Sequence, residues 1–300
     1  MSDCAKIQVG EHWLGGAVGE HPTAIIGTIF SGAQRFLEDP EEGRFGAPEA
    51  LRQIERGATA CRRTAVPYLL DVVAETPRAM ERELSFVVAE TSLPFLIDAS
   101  DEAVRLAGLR AADRLGALGR TVYNSIGPDA PDEELELLAR LRPAAIVVST
   151  MDPANFGAAS ALEVLREVEA RLSPALHGRL LLDVGFLDEA SPGVSCRAAQ
   201  ELRRSAGLPV GGAPCNGLQM WEDLKTLGEG AFVAALAATL GYCAAFGLDF
   251  LFAGPLRRIP DVAPALAAAG VYNRYALVSE TGRRDLSGEH PIRALFGATP

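Results

Sequence analysis

The stretch PFLIDAS (94–100) places a carboxylate, Asp98, directly after a short and continuous apolar run. Continuous apolarity is typical of a strand that is covered on both faces in a parallel sheet, whereas a carboxylate is costly to bury without partners. Two further runs have the same form and reach a polar residue: TVYNSI (121–126), with Asn124, and LLLDVG (180–185), with Asp183. Three such runs in one chain indicate a common structural cause.

These runs belong to an alternation of strands and helices along the whole chain of 300 residues. The segments predicted as strands are 23–30, 66–72, 94–99, 121–126, 144–150, 179–185, 208–214 and 248–254. The segments predicted as helices are 49–63, 78–90, 101–117, 132–142, 158–173, 196–206, 221–246 and 261–270. This β-then-α order predicts an α/β fold, a single (β/α)8 TIM barrel that forms one domain over residues 1–300.

A doubly wound open sheet is the main alternative for an α/β pattern of this kind. It usually has fewer strands, and no GxGxxG motif follows the first predicted strand, TAIIGTIF (23–30). The segment KIQVGEHWLGG (6–16) precedes that strand. We expect it to form a short N-terminal hairpin that closes the bottom of the barrel.

Composition argues against several classes of protein. Acidic residues outnumber basic ones by 39 to 28, and the net charge of −11 is unsuited to a nucleic-acid partner. The apolar segment 231–255 contains Asp249 and several glycines, so we expect a buried helix followed by a strand and no transmembrane segment. The five cysteines lack the spacing of a zinc site or of a disulfide framework. With no visible signal peptide, a cytoplasmic location is expected.

Barrel geometry explains why the strands end in polar residues. The interior of a TIM barrel is packed with apolar side chains, and its chemistry lies where strands end and βα loops begin. Asp98, Asn124 and Asp183 therefore mark the mouth, and Asn216, in GGAPCNGLQMW (211–221), follows the seventh strand. We expect these four side chains to surround one pocket.

Carboxylates and carboxamides together suit a flat, neutral heterocycle whose edge carries donors and acceptors, such as a pterin or a purine. No Lys or Arg lies at these strand ends, so a phosphorylated substrate is not favoured. The four histidines fall in the hairpin, the loops and the tail, and none lies at these strand ends. The site therefore lacks the histidine that a Ser-His-Asp triad or a histidine-rich metal centre requires.

Each candidate also has a structural alternative. Asp98 could cap the helix that follows, although Asp101 is better placed to do so. Asn124 and Asn216 could serve turns, since each precedes a glycine-containing turn sequence. Asp71, near the end of the second strand, has the same appearance but no partner motif, and it stays outside the predicted site.

With these residues in place, the chain resembles the H subunit of tetrahydromethanopterin S-methyltransferase. The similarity extends over nearly the whole chain in an ordered set of motifs: GTIFSGAQ (27–34), PFLID (94–98), VYNSI (122–126), MDP (151–153), LLLDV (180–184) and GEHP (288–291). That subunit is grouped with the methyltetrahydrofolate:corrinoid methyltransferases, which are also (β/α)8 barrels and usually homodimers.

The resemblance implies a methyltransferase of one-carbon metabolism. It would move a methyl group between N5 of a tetrahydropterin, either tetrahydrofolate or tetrahydromethanopterin, and the cobalt of a corrinoid. By position in the family pattern, Asp98, Asn124 and Asp183 would bind the pterin ring and Asn216 would approach N5. No DxHxxG cobalamin motif is present, so a separate corrinoid protein is the implied partner, together with a second copy of the chain.

Two departures and two competing functions accompany this resemblance. The loop after the fifth strand is short, and the segment 185–198 lacks the family's usual glycine pattern. A dihydropteroate-synthase-like pterin enzyme would need a basic residue near a strand end for a pyrophosphate leaving group, and the sequence indicates none. A non-catalytic subunit that binds a pterin or a corrinoid protein is the third possibility.

Overall fold

A computed structural model describes residues 4–32, 34–152, 155–282 and 289–296. Its strands are β1 (Lys6–Val9), β2 (His12–Gly15), β3 (Ala24–Ile29), β4 (Leu37–Asp39), β5 (Arg44–Phe45), β6 (Tyr68–Val73), β7 (Phe95–Asp98), β8 (Thr121–Ile126), β9 (Ala145–Ser149), β10 (Leu180–Asp183), β11 (Val210–Gly212) and β12 (Phe250–Pro255). Its α-helices are α1 (Ala47–Thr64), α2 (Pro77–Glu90), α3 (Glu102–Arg114), α4 (Asp132–Leu141), α5 (Ala158–Arg171), α6 (Pro192–Ala206), α7 (Pro214–Gln219), α8 (Glu222–Thr226), α9 (Glu229–Ala245), α10 (Ile259–Thr281) and α11 (Pro291–Phe296). Short 3-10 turns occupy Leu118–Arg120, Pro174–Arg179 and Leu256–Arg258.

Eight parallel strands form a closed barrel in the order β3-β6-β7-β8-β9-β10-β11-β12, and β12 returns to pair with β3. Each strand corresponds to one of the predicted segments, so the (β/α)8 fold is confirmed. The strand side chains are almost entirely buried because helices cover the outside of the barrel and apolar side chains pack its interior.

The N-terminal hairpin of β1 and β2 closes the bottom of the barrel, as predicted. The two strands are antiparallel, and Ile7 and Val9 of β1 point into the core. The Gly10 N–H donates to Gly119 O at 3.0 Å and the Ala5 N–H donates to Gly207 O at 2.8 Å. Both acceptors lie just before a barrel strand, so the hairpin covers the amino-terminal ends.

A buried ion pair between Arg203 and Asp249 stabilises the lower end of the barrel. Arg203 of α6 donates to the Asp249 carboxylate and to the carbonyl oxygen of Gly16, and both charged side chains are about nine-tenths buried. The Asp249 carboxylate also accepts the Val210 N–H at 2.9 Å. Asp249 therefore stabilises the junction of hairpin, β11 and β12, far from the mouth.

Several helix boundaries differ from the prediction. The helix predicted over 221–246 is divided into α8 and α9, because Gly228 between them has a φ of +89°. The helix predicted over 261–270 continues to Thr281 as α10. The small hairpin of β4 and β5 and the short helix α7 were not predicted. The apolar segment 231–255 forms most of α9 and all of β12, and the described chain contains no helix with the length and apolarity that crossing a membrane requires.

Candidate functional site

The mouth of the barrel gathers polar side chains from adjacent strands. Asp98, the last residue of β7, is paired in register with Asn124 of β8. Thr28 of β3 and Asp71 of β6 are likewise register partners. Between β6 and β7, Asp71 is paired with Leu96 and Asp98 with Val73, so the two pairs are offset by two residues. The side chains of Asp71 and Asp98 lie within hydrogen-bond reach and join the pairs into one polar row inside an apolar barrel.

Asp71 lies at the centre of this row and is only 3% exposed. The Thr28 hydroxyl donates to Asp71 Oδ2 at 2.9 Å, and Thr28 is fixed in turn because its carbonyl accepts from Gln34 Nε2 at 2.7 Å. Asp71 Oδ1 is buried and has no donor among the described residues. Burial, reinforced by the charge of Asp98, raises the pKa of Asp71 well above its usual range.

Asp98 lies within hydrogen-bond reach of two neighbours, the Asp71 carboxyl and the Asn124 carboxamide. Burial raises its pKa, whereas the hydrogen bonds and the nearby Arg105 charge act in the opposite direction. The prediction that Asp98 is not the helix cap is correct, because Asp101 Oδ1 accepts the Ala103 N–H at 2.7 Å. Asp98 is therefore free to face the mouth.

A buried network holds the loop that follows Asp98. Arg105 Nη1 donates to the carbonyl oxygens of Ala99 and Ser100 at 2.9 and 3.0 Å. The same guanidinium donates through Nε and Nη2 to Glu134 Oε1 at 3.0 and 2.8 Å, and the Tyr123 hydroxyl donates to that oxygen too. Glu134 lies in the first turn of α4, where a negative charge is favoured by the helix dipole. It is also completely buried, and it joins α4 to Arg105 and Tyr123 in this network.

Asp183 approaches from the other side of the mouth. Its Oδ1 accepts the Gly185 N–H at 2.7 Å, which fixes the carboxylate at the end of β10. A Cβ on Gly212 would lie 2.8 Å from this oxygen, so the neighbouring strand needs glycine there. Burial, with a smaller contribution from the Asp98 charge, raises the pKa of Asp183 to about 6.

The fourth predicted residue, Asn216, is placed differently. It lies in α7 rather than in a turn, and its side chain is exposed at the rim. Its Oδ1 accepts a weak hydrogen bond from Cys215 Sγ at 3.6 Å. Cys215 is buried, which raises the pKa of its thiol to about 12, and the charge of Asp71 acts in the same direction. Asn216 therefore borders the polar row through Cys215.

Two residues of the mouth escape prediction from the sequence. Asp71 lies near the end of the second predicted strand, but it stays outside the predicted site because no partner motif accompanies it. The expectation that no basic residue lies near a strand end is wrong for Arg258, which follows β12 and is 8% exposed. Its place could not be read from the sequence because it depends on a 3-10 turn between β12 and α10.

Most of the Arg258 guanidinium is already engaged in interactions with Glu229 and Phe232. Its Nε and Nη2 donate to the two carboxylate oxygens of Glu229 at 2.8 and 3.1 Å, and its guanidinium carbon lies 4.2 Å from the Phe232 ring centroid. Nη1 is buried without an acceptor in the described chain. This nitrogen and Cys215 Sγ each lie 4.0 Å from the position that a Cβ on Gly254 would occupy.

Taken together, the mouth offers fixed acceptors, one carboxamide and one partly free guanidinium. Asp71, Asp98, Asn124 and Asp183 line this region, and Asn216 lies at the rim. Among the residues that the structure describes, no three His, Cys, Asp or Glu side chains group so as to hold a metal ion. The arrangement suits a planar ligand with several N–H donors on one edge.

Solved structures define the class of fold. A Yersinia pestis dihydropteroate synthase in complex with a sulfonamide drug superimposes with a TM-score of 0.63 at 16% identity, covering 92% of this chain and 100% of that one. A Xanthomonas albilineans dihydropteroate synthase with 4-aminobenzoic acid gives a TM-score of 0.59 at 18% identity, covering 92% and 98%. The chain thus shares the TIM-barrel fold of these structures.

The family follows from sequence. The family model of the tetrahydromethanopterin S-methyltransferase MtrH subunit matches residues 4–282, and the chain belongs to that family. The corresponding tetrahydromethanopterin S-methyltransferase subunit of Methanothermobacter thermautotrophicus is 30% identical over 275 residues, covering 86% of this chain and 87% of that protein. The resemblance inferred from the sequence is confirmed, and so is the prediction of a methyltransferase at the level of the family.

Asp183 provides a test of the electrostatics of the site. Its folded-state pKa of about 6 exceeds the value of about 3.9 for an unfolded aspartate, so the free energy of unfolding falls as pH rises from about 4 to 6. We expect Asp183→Asn to flatten this dependence and to raise the free energy of unfolding at pH 7 by about 1–3 kcal/mol.

Urea denaturation at a series of pH values measures both effects. Asp188→Asn is the matched control, because Asp188 lies in the same loop and its side chain accepts the backbone N–H groups of Ala190 and Ser191. If the free energy of unfolding of Asp183→Asn depends on pH as that of wild type does, burial does not raise the pKa of Asp183.

Proposed function

We propose that this chain transfers a methyl group between N5 of a tetrahydropterin and the cobalt of a corrinoid carried by a partner protein. The observation that carries the proposal is the convergence of Asp98, Asn124 and Asp183 at one barrel mouth. Membership of the MtrH family supplies the reaction class, and the fold supports a pterin-sized ligand. The chain would act in the cytoplasm, a reducing compartment that suits its five free cysteines.

The ring edge of a pterin carries adjacent N–H donors next to ring nitrogens and a carbonyl. Asp183 is ionised above pH 6 and can accept two such donors side by side. Asn124 can donate to one ring atom while accepting from another. Asp98 and Asp183 would therefore hold the donor-rich edge, and Asn124 would set which face of the ring points outward.

Asn216 is proposed to lie beside N5, as the family pattern implies. Breaking the C–N5 bond leaves its electron pair on nitrogen, so a neutral amine leaves only when N5 has first taken up a proton from solvent and with it a positive charge. The Asn216 carbonyl can stabilise that charge from the rim without a strong acid. The partner's corrinoid, when bound, supplies the nucleophilic cobalt that exchanges the methyl group. The residues of this chain fix the orientation of N5.

The rim offers a surface for the corrinoid protein. Three apolar side chains that follow Asn216 are strongly exposed: Met220 (62%), Trp221 (43%) and Leu227 (71%). An exposed apolar patch at the mouth of a barrel fits a docking partner that must bring its cofactor to within bonding distance. This position favours the corrinoid protein as the occupant of the patch.

The family name favours tetrahydromethanopterin as the methyl carrier, and tetrahydrofolate is the alternative. A dihydropteroate-synthase-like reaction gains some support from the fold and from Arg258. Against it, Arg258 is already paired with Glu229, and among the described residues only its Nη1 is left without an acceptor. The remaining alternative is a subunit that binds the pterin without catalysing methyl transfer, and the assay must distinguish it from an active methyltransferase.

Methyl transfer with the purified chain tests the proposal. Methyl-tetrahydromethanopterin and methyl-tetrahydrofolate are supplied separately with Co(I) cobalamin, and the cobalamin spectrum is followed. We expect loss of the Co(I) spectrum with at least one pterin, and faster loss with the tetrahydromethanopterin form. Binding of a pterin without spectral change would favour the non-catalytic subunit, and absence of binding to both pterins would overturn the proposal.

Two variants separate ring binding from transfer. Asp183→Ala removes a charged acceptor, so the pterin Kd should rise by about 10- to 100-fold. Asn216→Ala should lower the transfer rate at saturating pterin and leave the Kd within about threefold. The control is Asp188→Ala in the loop after Asp183. An unchanged rate in Asn216→Ala would remove that residue from the mechanism.

We also propose that the chain forms a homodimer through the outer faces of α9 and α10. No charged residue occurs from 230 to 248, and the outward side chains of α9 are chiefly alanines and the exposed Tyr242. On α10, Tyr272 and Tyr275 are 70% and 68% exposed. A helix that is apolar on all sides is normally covered. For a chain of net charge −11, an uncharged face is where two copies can approach.

Light scattering after size-exclusion chromatography tests this dimer. Wild type should elute with twice the chain mass, and the double variant Tyr272→Glu, Tyr275→Glu should elute as a monomer because each interface would then bury four carboxylates. The double Phe variant keeps the apolar area and should stay dimeric. A monomeric wild type at micromolar concentration would refute the interface.

A further inference from the structure

We infer that Asp71 is a positioning residue that carries a proton at neutral pH and donates it in a hydrogen bond to the Asp98 carboxylate. The pair then presents one negative charge, in a fixed orientation, to whatever occupies the mouth. Only the consequence for ring binding rests on the proposed function. The proton itself is a property of the chain without ligand.

The hydrogen-bond pattern around Asp71 points to this proton. One carboxyl oxygen, Oδ2, accepts from the Thr28 hydroxyl at 2.9 Å and so behaves as a carbonyl oxygen. The other, Oδ1, is buried with no donor in the described chain, and Asp98 is within hydrogen-bond reach. Two acceptors without a proton between them would repel each other, whereas a proton on Oδ1 satisfies both.

The surroundings place the proton on Asp71 rather than on Asp98. Asp71 is almost completely buried, and the Thr28 hydroxyl that donates to it is neutral. Asp98 accepts a hydrogen bond from the Asn124 carboxamide and lies near the positive charge of Arg105. Both interactions stabilise the ionised form of Asp98. The other titratable groups that act on the pair are Asp183, Cys215 and, through Cys215, Arg258. The Asp183 carboxylate raises the cost of a second negative charge, whereas the Cys215 thiol, whose pKa is raised to about 12, carries no charge at neutral pH.

The consequence for ligand binding is a matter of orientation. A hydrogen bond from Asp71 occupies one lone pair of Asp98 and prevents its carboxylate from rotating about χ2. The remaining lone pairs of Asp98 then point toward Asn124 and the mouth. A ligand that donates an N–H group meets an acceptor already in place, so binding needs neither proton uptake nor reorientation of Asp98.

The variant Asp71→Asn tests the inference directly, because an asparagine reproduces the proposed bonds. Its Oδ1 can accept from Thr28 and its Nδ2 can donate to Asp98. We expect Asp71→Asn to bind methyl-tetrahydromethanopterin within about threefold of wild type, and Asp71→Ala to bind about 10- to 100-fold more weakly. If Asp71→Asn, folded by circular dichroism, binds as weakly as Asp71→Ala, Asp71 acts as a carboxylate and the inference is wrong.

Infrared spectroscopy of the ligand-free chain gives a second readout that does not depend on the proposed function. Wild type at pH 7 should show the carbonyl stretch of protonated carboxyl groups, and Asp71→Asn should lose one component of it. Glu83→Gln is the matched control. Glu83 is 1% exposed in α2, and burial raises its pKa to about 9, so its loss should remove a different component.

The two outcomes are distinguishable. If wild type binds neither pterin but Asp71→Asn loses its infrared component, the proposed function fails and the proton on Asp71 stands. If pterin binds and Asp71→Asn changes no component of the carbonyl band, the function stands and the inference is overturned.

Discussion

Closure of the sheet, completed where β12 pairs with β3, is the constraint on which the mouth depends. In an open sheet, Asp98 on β7 and Asp183 on β10 would be separated by two intervening strands. In the barrel the strands curve round, and the charge of Asp98 raises the pKa of Asp183 across the opening. Carboxyl groups held around one apolar space cannot all ionise at low cost. The chain therefore supplies a fixed donor to each of them.

The two ends of the barrel treat buried acids differently. At the bottom, Asp249 is neutralised by Arg203 and accepts a backbone N–H, so its hydrogen-bonding capacity is spent within the chain. At the mouth, Asp183 accepts the Gly185 N–H and Asp98 has a carboxyl and a carboxamide as neighbours. An acid paired with a cation stabilises a junction, whereas an acid with unused lone pairs at a cavity is available to a ligand. This contrast supports a stabilising role for Asp249 at the bottom and the proposed binding role of Asp98 and Asp183 at the mouth.

The sequence was sufficient for the strands, because burial on both faces leaves a continuous apolar run that helices do not imitate over so short a length. It was sufficient for Asp98 and Asp183, where the polar residue ends the strand. It failed for Asp71, which has the same appearance but no partner motif in the sequence, because its approach to Asp98 depends on the pairing of β6 with β7. It also failed for Arg258, whose approach to the mouth depends on tertiary packing against Glu229 and Phe232.

Arg258 bears on which chemistry this mouth can perform. A leaving diphosphate carries several negative charges and needs cationic donors that are free to receive them. Here the guanidinium is paired with both oxygens of Glu229, so the pair is neutral and, within the described chain, only Nη1 lacks an acceptor. The negative charges of Asp98 and Asp183 would repel such an anion. The proposed methyl transfer releases a neutral amine when N5 is protonated before the C–N5 bond breaks, and the acceptors of the mouth favour that positively charged form.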